Sequence, residues 1–153
     1  MVTQKMDEYW MRLALEQAKT AMDVGEVPVG ALIVREGHQI AATHNLRQTQ
    51  QIATAHAEIL AIEEACRILH SKHLSDCTLY VTLEPCPMCA GALAGARIGR
   101  IVFAAKDPRA GACGSLLNLF AYPLEAKPKI ESGVLEEDSL ALLRTFFANF
   151  RIK

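Results

Sequence analysis

No hydrophobic stretch of the chain approaches the roughly 18 residues that a membrane-spanning helix requires, which argues against an integral helical membrane protein. A signal-peptide core is missing as well: Met1-Val2-Thr3-Gln4-Lys5 leads into an amphipathic stretch, so a cytoplasmic location is expected. There is almost no charge imbalance, with 16 basic against 17 acidic residues and a net charge of -1. The bulk signature of a nucleic-acid binder is therefore absent, although a local basic patch is compatible with that total. No internal repeat, low-complexity tract or linker interrupts the chain, and residues 1–153 are expected to form one domain. The cysteines number five, an odd count, and two of them stand as Cys-x-x-Cys. In a reducing compartment that spacing points to metal or redox work more than to structural disulfides. What is present, 51% hydrophobic and 22% charged residues, is the composition of a chain with a compact core.

The hydrophobic pattern alternates between helical and strand periods. A first helix is expected from Met6 to Val24, with Trp10, Leu13, Ala14, Ala18 and Ala21 near one face and Gly25 as its stop. Val29 to Val34 reads as a buried strand, and Gly37 as the turn of a hairpin into a second strand near Gln39 to Thr43. Asn45 to Thr54 is polar and reads as a loop, and Ala55 to Leu69 as a buried helix. Thr78 to Leu83 is a third strand that runs into a short helix ending near Ala96. Arg100 to Ala105 is a fourth strand, Lys106 to Gly114 a loop, and Lys127 to Glu131 a fifth strand. A closing helix over Leu135 to Phe150 carries Leu140, Leu143, Phe147 and Phe150 at helical spacing. A hairpin followed by alternating helices and strands predicts an α/β fold, a three-layer α/β/α sandwich on a mixed sheet of about five strands.

Against this background His56-Ala57-Glu58 and Pro85-Cys86-Pro87-Met88-Cys89 stand out. One His and two Cys can hold a metal by three corners, and three protein ligands leave a fourth position open, the layout of catalytic zinc; structural zinc sites are usually closed by four. Cys86 and Cys89, at i and i+3, share a helical face. Pro85 and Pro87 are tolerated only near a first turn, which places both sulfurs at a helix N-terminus, where the dipole favours thiolates. His56 and Glu58 present a difficulty, since positions i and i+2 lie about 200° apart on a regular helix. They share a pocket only if both lie in the first turn and the longer Glu side chain bends back.

Each half of the constellation has a plainer reading. A lone Cys-x-x-Cys suits a redox pair or half of a structural zinc knuckle, and a lone His-x-Glu is common by chance. Together, at a helix start and a strand-to-helix junction, they favour a catalytic metal. Cys66, Cys77 and Cys113 read as a helix-borne hydrophobe, an inert pre-strand residue and a small loop residue. His38, His44, His70 and His73 read as surface or turn residues, and Met11 and Met22 as helix packing. The small residues Ala90 to Ala96 read as a helix packed closely on the sheet, compatible with a close contact in a dimer. Phe146, Phe147 and Phe150 read as core, and Arg144, Arg151 and Lys153 as a solvated face. Lys106 and Arg109 read the same way, although their Gly-rich loop raises the chance of phosphate contact.

At His56-Ala57-Glu58 and Pro85-Cys86-x-x-Cys89 the chain resembles the zinc nucleobase and nucleoside deaminases of the cytidine deaminase-like superfamily. The segments Gly25 to Ala31, Thr54 to Ile59, Leu79 to Cys86, Met88 to Ala92 and Asp107 to Ser115 are similar to the bacterial tRNA-specific adenosine deaminases. The resemblance implies a cytidine deaminase-like fold and a hydrolase acting on a C–N bond. The activity implied is deamination of adenosine to inosine at the wobble position of a tRNA anticodon, by attack of zinc-bound hydroxide on C6. It implies one Zn(2+) per subunit on His56, Cys86 and Cys89, with Glu58 as proton shuttle. Asn45 matches a residue that hydrogen-bonds the flipped base, Val27 one that lines the base pocket, and Asp107 lies in the loop that touches the anticodon backbone. A tRNA anticodon stem-loop and a second copy of the chain, as a homodimer, are the implied partners. The chain departs from the family pattern at Ile52-Ala53, where Asp-Pro is usual, at Ala105, where Gly is common, and at Cys113, where Ala or Gly is common. It also ends at Lys153 without the basic tail of some members. Two other functions share part of this evidence: a deaminase of a free base such as guanine or cytosine, and a non-catalytic zinc-binding module.

Overall fold

The computed structural model describes residues 2–150, with side chains over 3–149. The Phe150 side chain, Arg151 and Lys153, read above as core and solvated face, lie outside the described residues. The order of elements is α1 (Val2–Asp23), β1 (Gly30–Arg35), β2 (His38–His44), α2 (Arg47–Gln50), α3 (Ala57–Leu69), β3 (Cys77–Leu83), α4 (Pro87–Gly95), β4 (Arg100–Ala105), β5 (Lys129–Ser132) and α5 (Glu136–Phe150). The strands form one mixed sheet in the order β2-β1-β3-β4-β5. β1 is antiparallel to both β2 and β3, whereas β3, β4 and β5 run parallel.

The central strands are apolar on both sides, so the sheet must be covered twice. Ala31, Ile33, Leu79, Val81, Ile101 and Phe103 point to one side and pack with Ala57, Ala61 and Ala65 of α3 and Ala90 and Leu93 of α4. Leu32, Val34, Tyr80, Val102 and Ala104 point to the other and pack with Trp10, Met11, Ala14 and Leu15 of α1. The result is the three-layer α/β/α sandwich. Gly30 lets α1 approach closely: a Cβ there would lie 2.0 Å from the carbonyl oxygen of Ala14.

Local chemistry explains the punctuation. α1 stops as a Schellman motif, with Gly25 at φ +83°, its N–H bonded to Met22 O and the Glu26 N–H bonded to Ala21 O. The hairpin turns through Glu36 and Gly37, both at positive φ, between the paired residues Arg35 and His38.

Three expectations shift. The polar segment 45–54 holds one helical turn, α2, instead of loop throughout. Its four residues carry no apolar period, so nothing in their own composition predicts it. α3 begins at Ala57, two residues later than expected, with His56 as its N-cap. The buried side of α5 is carried by Ser139 and Phe146, with Leu142 packed beside them, while Phe147 is exposed. Leu140, Leu143 and Phe147 do share a helical spacing, but the Ser139 hydroxyl donates to Thr82 O at 2.6 Å and turns that neighbouring face toward the sheet. The small-residue helix α4 buries Ala90 and Leu93, whereas Gly91 and Gly95 meet no atom within 4 Å of an added Cβ.

Candidate metal centre and the loops at its edge of the sheet

The sheet topology brings the chemistry to one edge. β3 and β4 run parallel, in register from Thr78/Arg100 to Leu83/Ala105, so the segments after both strands leave the sheet together. β1 starts at that same edge because it is antiparallel to β3, and β2 ends there because His44 pairs with Gly30. Val27 precedes β1, Asn45 follows β2, Cys86 follows β3 and Asp107 follows β4. Ligands of open α/β sheets bind at such carboxyl ends.

Within this edge two helix starts converge. Cys86 is the extended N-cap of α4, Pro87 follows it, and Cys89 lies in the first turn. His56 is the extended N-cap of α3, with φ -72° and ψ 153°. His56 Nδ1 lies 3.3 Å from Cys89 Sγ and 3.6 Å from Cys86 Sγ. The three donor atoms all lie within 4.8 Å of one another. A tetrahedral zinc with ordinary Zn–S and Zn–N bonds would separate sulfur from nitrogen by about 3.6 Å. The donor set and its spacing therefore fit a zinc ion.

The His56/Glu58 difficulty disappears at the N-cap. The 200° separation holds only between two residues with helical backbone angles, and His56 has none. Glu58 is buried against the cluster and hydrogen-bonded with Cys89. Burial pushes its carboxyl up to about 7, against the pull of its own backbone N–H and of His56. A carboxyl poised there can take up and release a proton near neutral pH. In the absence of metal, Cys86 is held down at about 4, foremost by a hydrogen bond from the Cys89 thiol, which is pushed strongly up by keeping the shared proton. The hydrogen bond to Cys86 raises the His56 imidazole.

The remaining sequence-predicted residues lie at the same edge of the sheet. Asn45 is buried, its Oδ1 accepts from Arg47 N at 3.1 Å, and its N–H donates to Val29 O. Val27 is half-buried against the larger core. Asp107 is half-buried, and its Oδ1 accepts from Arg109 N and Ala110 N, which shapes the turn that follows β4. Arg47, Lys106 and Arg109 are exposed.

Sequence reasoning passed over two buried carboxylates. Glu26 is fully enclosed and accepts from Gln48 N at 3.1 Å and Thr49 N at 2.6 Å, which caps α2 from 22 residues away. Glu84, immediately before Pro85-Cys86, accepts four bonds from the loop after β4. The available signal was an acidic residue at each end of a buried strand run, at Glu26 before Val29 to Val34 and at Glu84 after Leu79 to Leu83.

The remaining cysteines are not ligand-like. Burial raises Cys66, Cys77 to about 11 and Cys113 to about 12. The exposed histidines His38, His70 and His73 lie away from the cluster, and His44 hydrogen-bonds the Asn45 carbonyl.

A family model for MafB19-like deaminase matches residues 5–136. The chain belongs to this deaminase family. The tRNA-specific adenosine deaminase of Bacillus subtilis is 48% identical over 148 residues, spanning 96% of this chain and 92% of that one. The protein of the same name from Aquifex aeolicus is 48% identical over 145 residues, spanning 94% and 95%. A structure solved in a study of A-to-I editing by tRNA:A34 deaminases superposes with a TM-score of 0.86 at 42% identity, covering 88% of this chain and 99% of that one. The guanine deaminase from Nitrosomonas europaea superposes with a TM-score of 0.80 at 28% identity, covering 92% and 84%. The fold is thus that of the family's deaminases, and the chain is an enzyme of this class.

Proposed function

We propose that this deaminase hydrolyses adenosine to inosine at the wobble position of a tRNA anticodon, using one zinc ion per subunit held by His56, Cys86 and Cys89. The observation that carries the reading is the convergence of the His56 and Cys86/Cys89 donors beside the buried Glu58. The names of the relatives with 48% identity over nearly the whole chain support tRNA adenosine as the substrate.

Bound zinc supplies Lewis-acid activation of water. The side chains of the chain do the rest. Glu58 takes a proton from the attacking water and delivers it to the amino group that leaves C6 as ammonia, so that adenosine and water become inosine and ammonia. Its raised affinity for protons suits both halves of that exchange. Asn45 hydrogen-bonds the base, Val27 supplies an apolar wall, and Asp107 contacts the anticodon backbone. An anticodon base is already unpaired, so little energy is needed to bring it into the pocket. The open face of α4 at Gly91 and Gly95 supports assembly as a homodimer. No helix among the described residues is long and apolar enough to cross a membrane, and a tRNA substrate is in keeping with a cytoplasmic enzyme of one domain.

The test is inosine formation on an anticodon stem-loop, assayed beside free guanine and cytosine, together with zinc content. Inosine formation with one zinc per chain is expected. Ammonia released only from free bases would overturn the tRNA reading and favour the chemistry of the guanine deaminase neighbour.

A further inference from the structure

Glu84 is the last residue before Pro85 and only 2% exposed. A carboxylate removed from water to this degree is costly unless its lone pairs are occupied. None of the ion pairs among the described residues involves it. Its partners come instead from one loop. Oε1 accepts from Asp107 N at 3.0 Å and from Ser115 Oγ at 2.5 Å. Oε2 accepts from Cys113 N at 3.0 Å and Ser115 N at 3.1 Å. The loop backbone also lies directly on the carboxylate: a Cβ at Gly111 would come within 2.3 Å of Glu84 Cδ. A further bond, Ala112 N to Pro85 O at 2.8 Å, ties the same loop to the next residue of the β3–α4 junction.

We infer that Glu84 is a positioning residue that holds the substrate-facing loop, residues 107–115, in fixed register with the helix start bearing Cys86 and Cys89. The inference rests on the proposed role of Asp107 in substrate contact. The geometry explains why a carboxylate stands here. Two oxygens with no attached hydrogen accept from four donors; an amide offers one such oxygen and turns an N–H₂ group against at least one of the backbone N–H groups. Gly111 is the complementary half of the device, since any side chain there displaces either the loop or the carboxylate.

The test compares wild type, Glu84→Gln, Gly111→Ala and the double variant. Readouts are steady-state kinetics on the anticodon stem-loop, zinc content, and hydrogen exchange of the Asp107, Cys113 and Ser115 amides. Both single variants should raise KM about tenfold or more, the scale of one or two lost bonds to a charged group, with kcat changed only a few-fold and zinc retained. The three loop amides should exchange faster in Glu84→Gln while the central strands stay protected. The double variant should be no worse than the more severe single, because both break one contact. Unchanged KM in both single variants, additive losses, or loss of zinc in both would overturn the inference. If Glu84→Gln does not fold, Gly111→Ala decides by the same KM and zinc criteria. A wild type inactive on the stem-loop would overturn the tRNA reading and Asp107's part in it; released amides in Glu84→Gln would then still separate that failure from a failure of the loop clamp.

Discussion

His56 Nδ1 stands 3.3 Å from Cys89 Sγ across 33 residues of sequence, because the N-terminal ends of α3 and α4 meet on one side of the sheet. Helix N-termini carry unpaired N–H groups and a positive partial charge, and the Cys86 thiolate stands where that backbone field favours it. His56, Cys86 and Cys89 there present the three donors that would hold a zinc ion.

Glu58 and His56 should separate cleanly by mutation. Glu58→Ala is expected to lower the deamination rate by roughly two to four orders of magnitude, the usual contribution of a positioned proton carrier, with zinc retained. His56→Ala is expected to lose zinc and activity together. Metal analysis beside single-turnover inosine formation checks both, and an active Glu58→Ala would favour a non-catalytic zinc module.

Binding of the anticodon stem-loop should weaken as salt rises. The chain is nearly neutral, but Arg47 at the start of α2 and Lys106 and Arg109 in the loop after β4 are exposed. If those three cations each neutralise one phosphate, the dissociation constant should rise roughly 20- to 40-fold between 50 and 200 mM salt. Removing one of them should make the slope of log Kd against log salt shallower. Affinity independent of salt would rule out this electrostatic footprint.

Glu26 should matter to the loop that follows Asn45. Its carboxylate is the only side chain bonded to the Gln48 and Thr49 amides among the described residues. Glu26→Gln retains the size but leaves one oxygen for two donors, which should cost about 2 kcal/mol of stability. Thermal unfolding measures this, and KM for the stem-loop should rise with it, since α2 no longer holds Asn45 in place.

Stability should fall in acid through Asp7. Burial alone would raise its carboxyl, but Arg100 and Tyr80 outweigh burial and hold it below the ordinary value of 3.8. Arg100 donates to both of its oxygens, at 2.8 and 2.6 Å, and Tyr80 donates at 2.7 Å. As pH falls, the unfolded chain therefore binds the proton first. The stabilisation is complete above the ordinary value and is lost as pH drops through the folded one. Asp7→Asn should cost about 2–3 kcal/mol near neutrality and flatten the decline below about pH 4. Denaturant midpoints between neutral and acidic pH measure both.

Much of the architecture was legible because the local signals agreed. The Ala14-Ala18-Ala21 stripe, Gly25 at a left-handed stop and Gly37 in a tight hairpin each name a backbone conformation by residue type. The same holds for Pro85 and Pro87, which place a helix start at Cys86. The exceptions were elements whose reason lies elsewhere in the chain. α2 exists because Glu26 caps it, and α5 turns its Ser139–Phe146 side inward because Ser139 bonds to a strand carbonyl. Neither partner is adjacent in sequence, so no local period reports them.

The sequence by itself determined the candidate donor set, the candidate proton carrier and the pattern of buried strands, since these depend on residue type and on spacings of two to four residues. Only the tertiary structure decided that His56 lies outside its helix, so that it faces the same centre as Glu58. Only the structure showed that Glu84 ties the loop of Asp107 to the Cys86 junction. Those relationships depend on backbone angles at a helix boundary and on hydrogen bonds between strand ends brought together by the sheet order, and neither is encoded in any short stretch of chain.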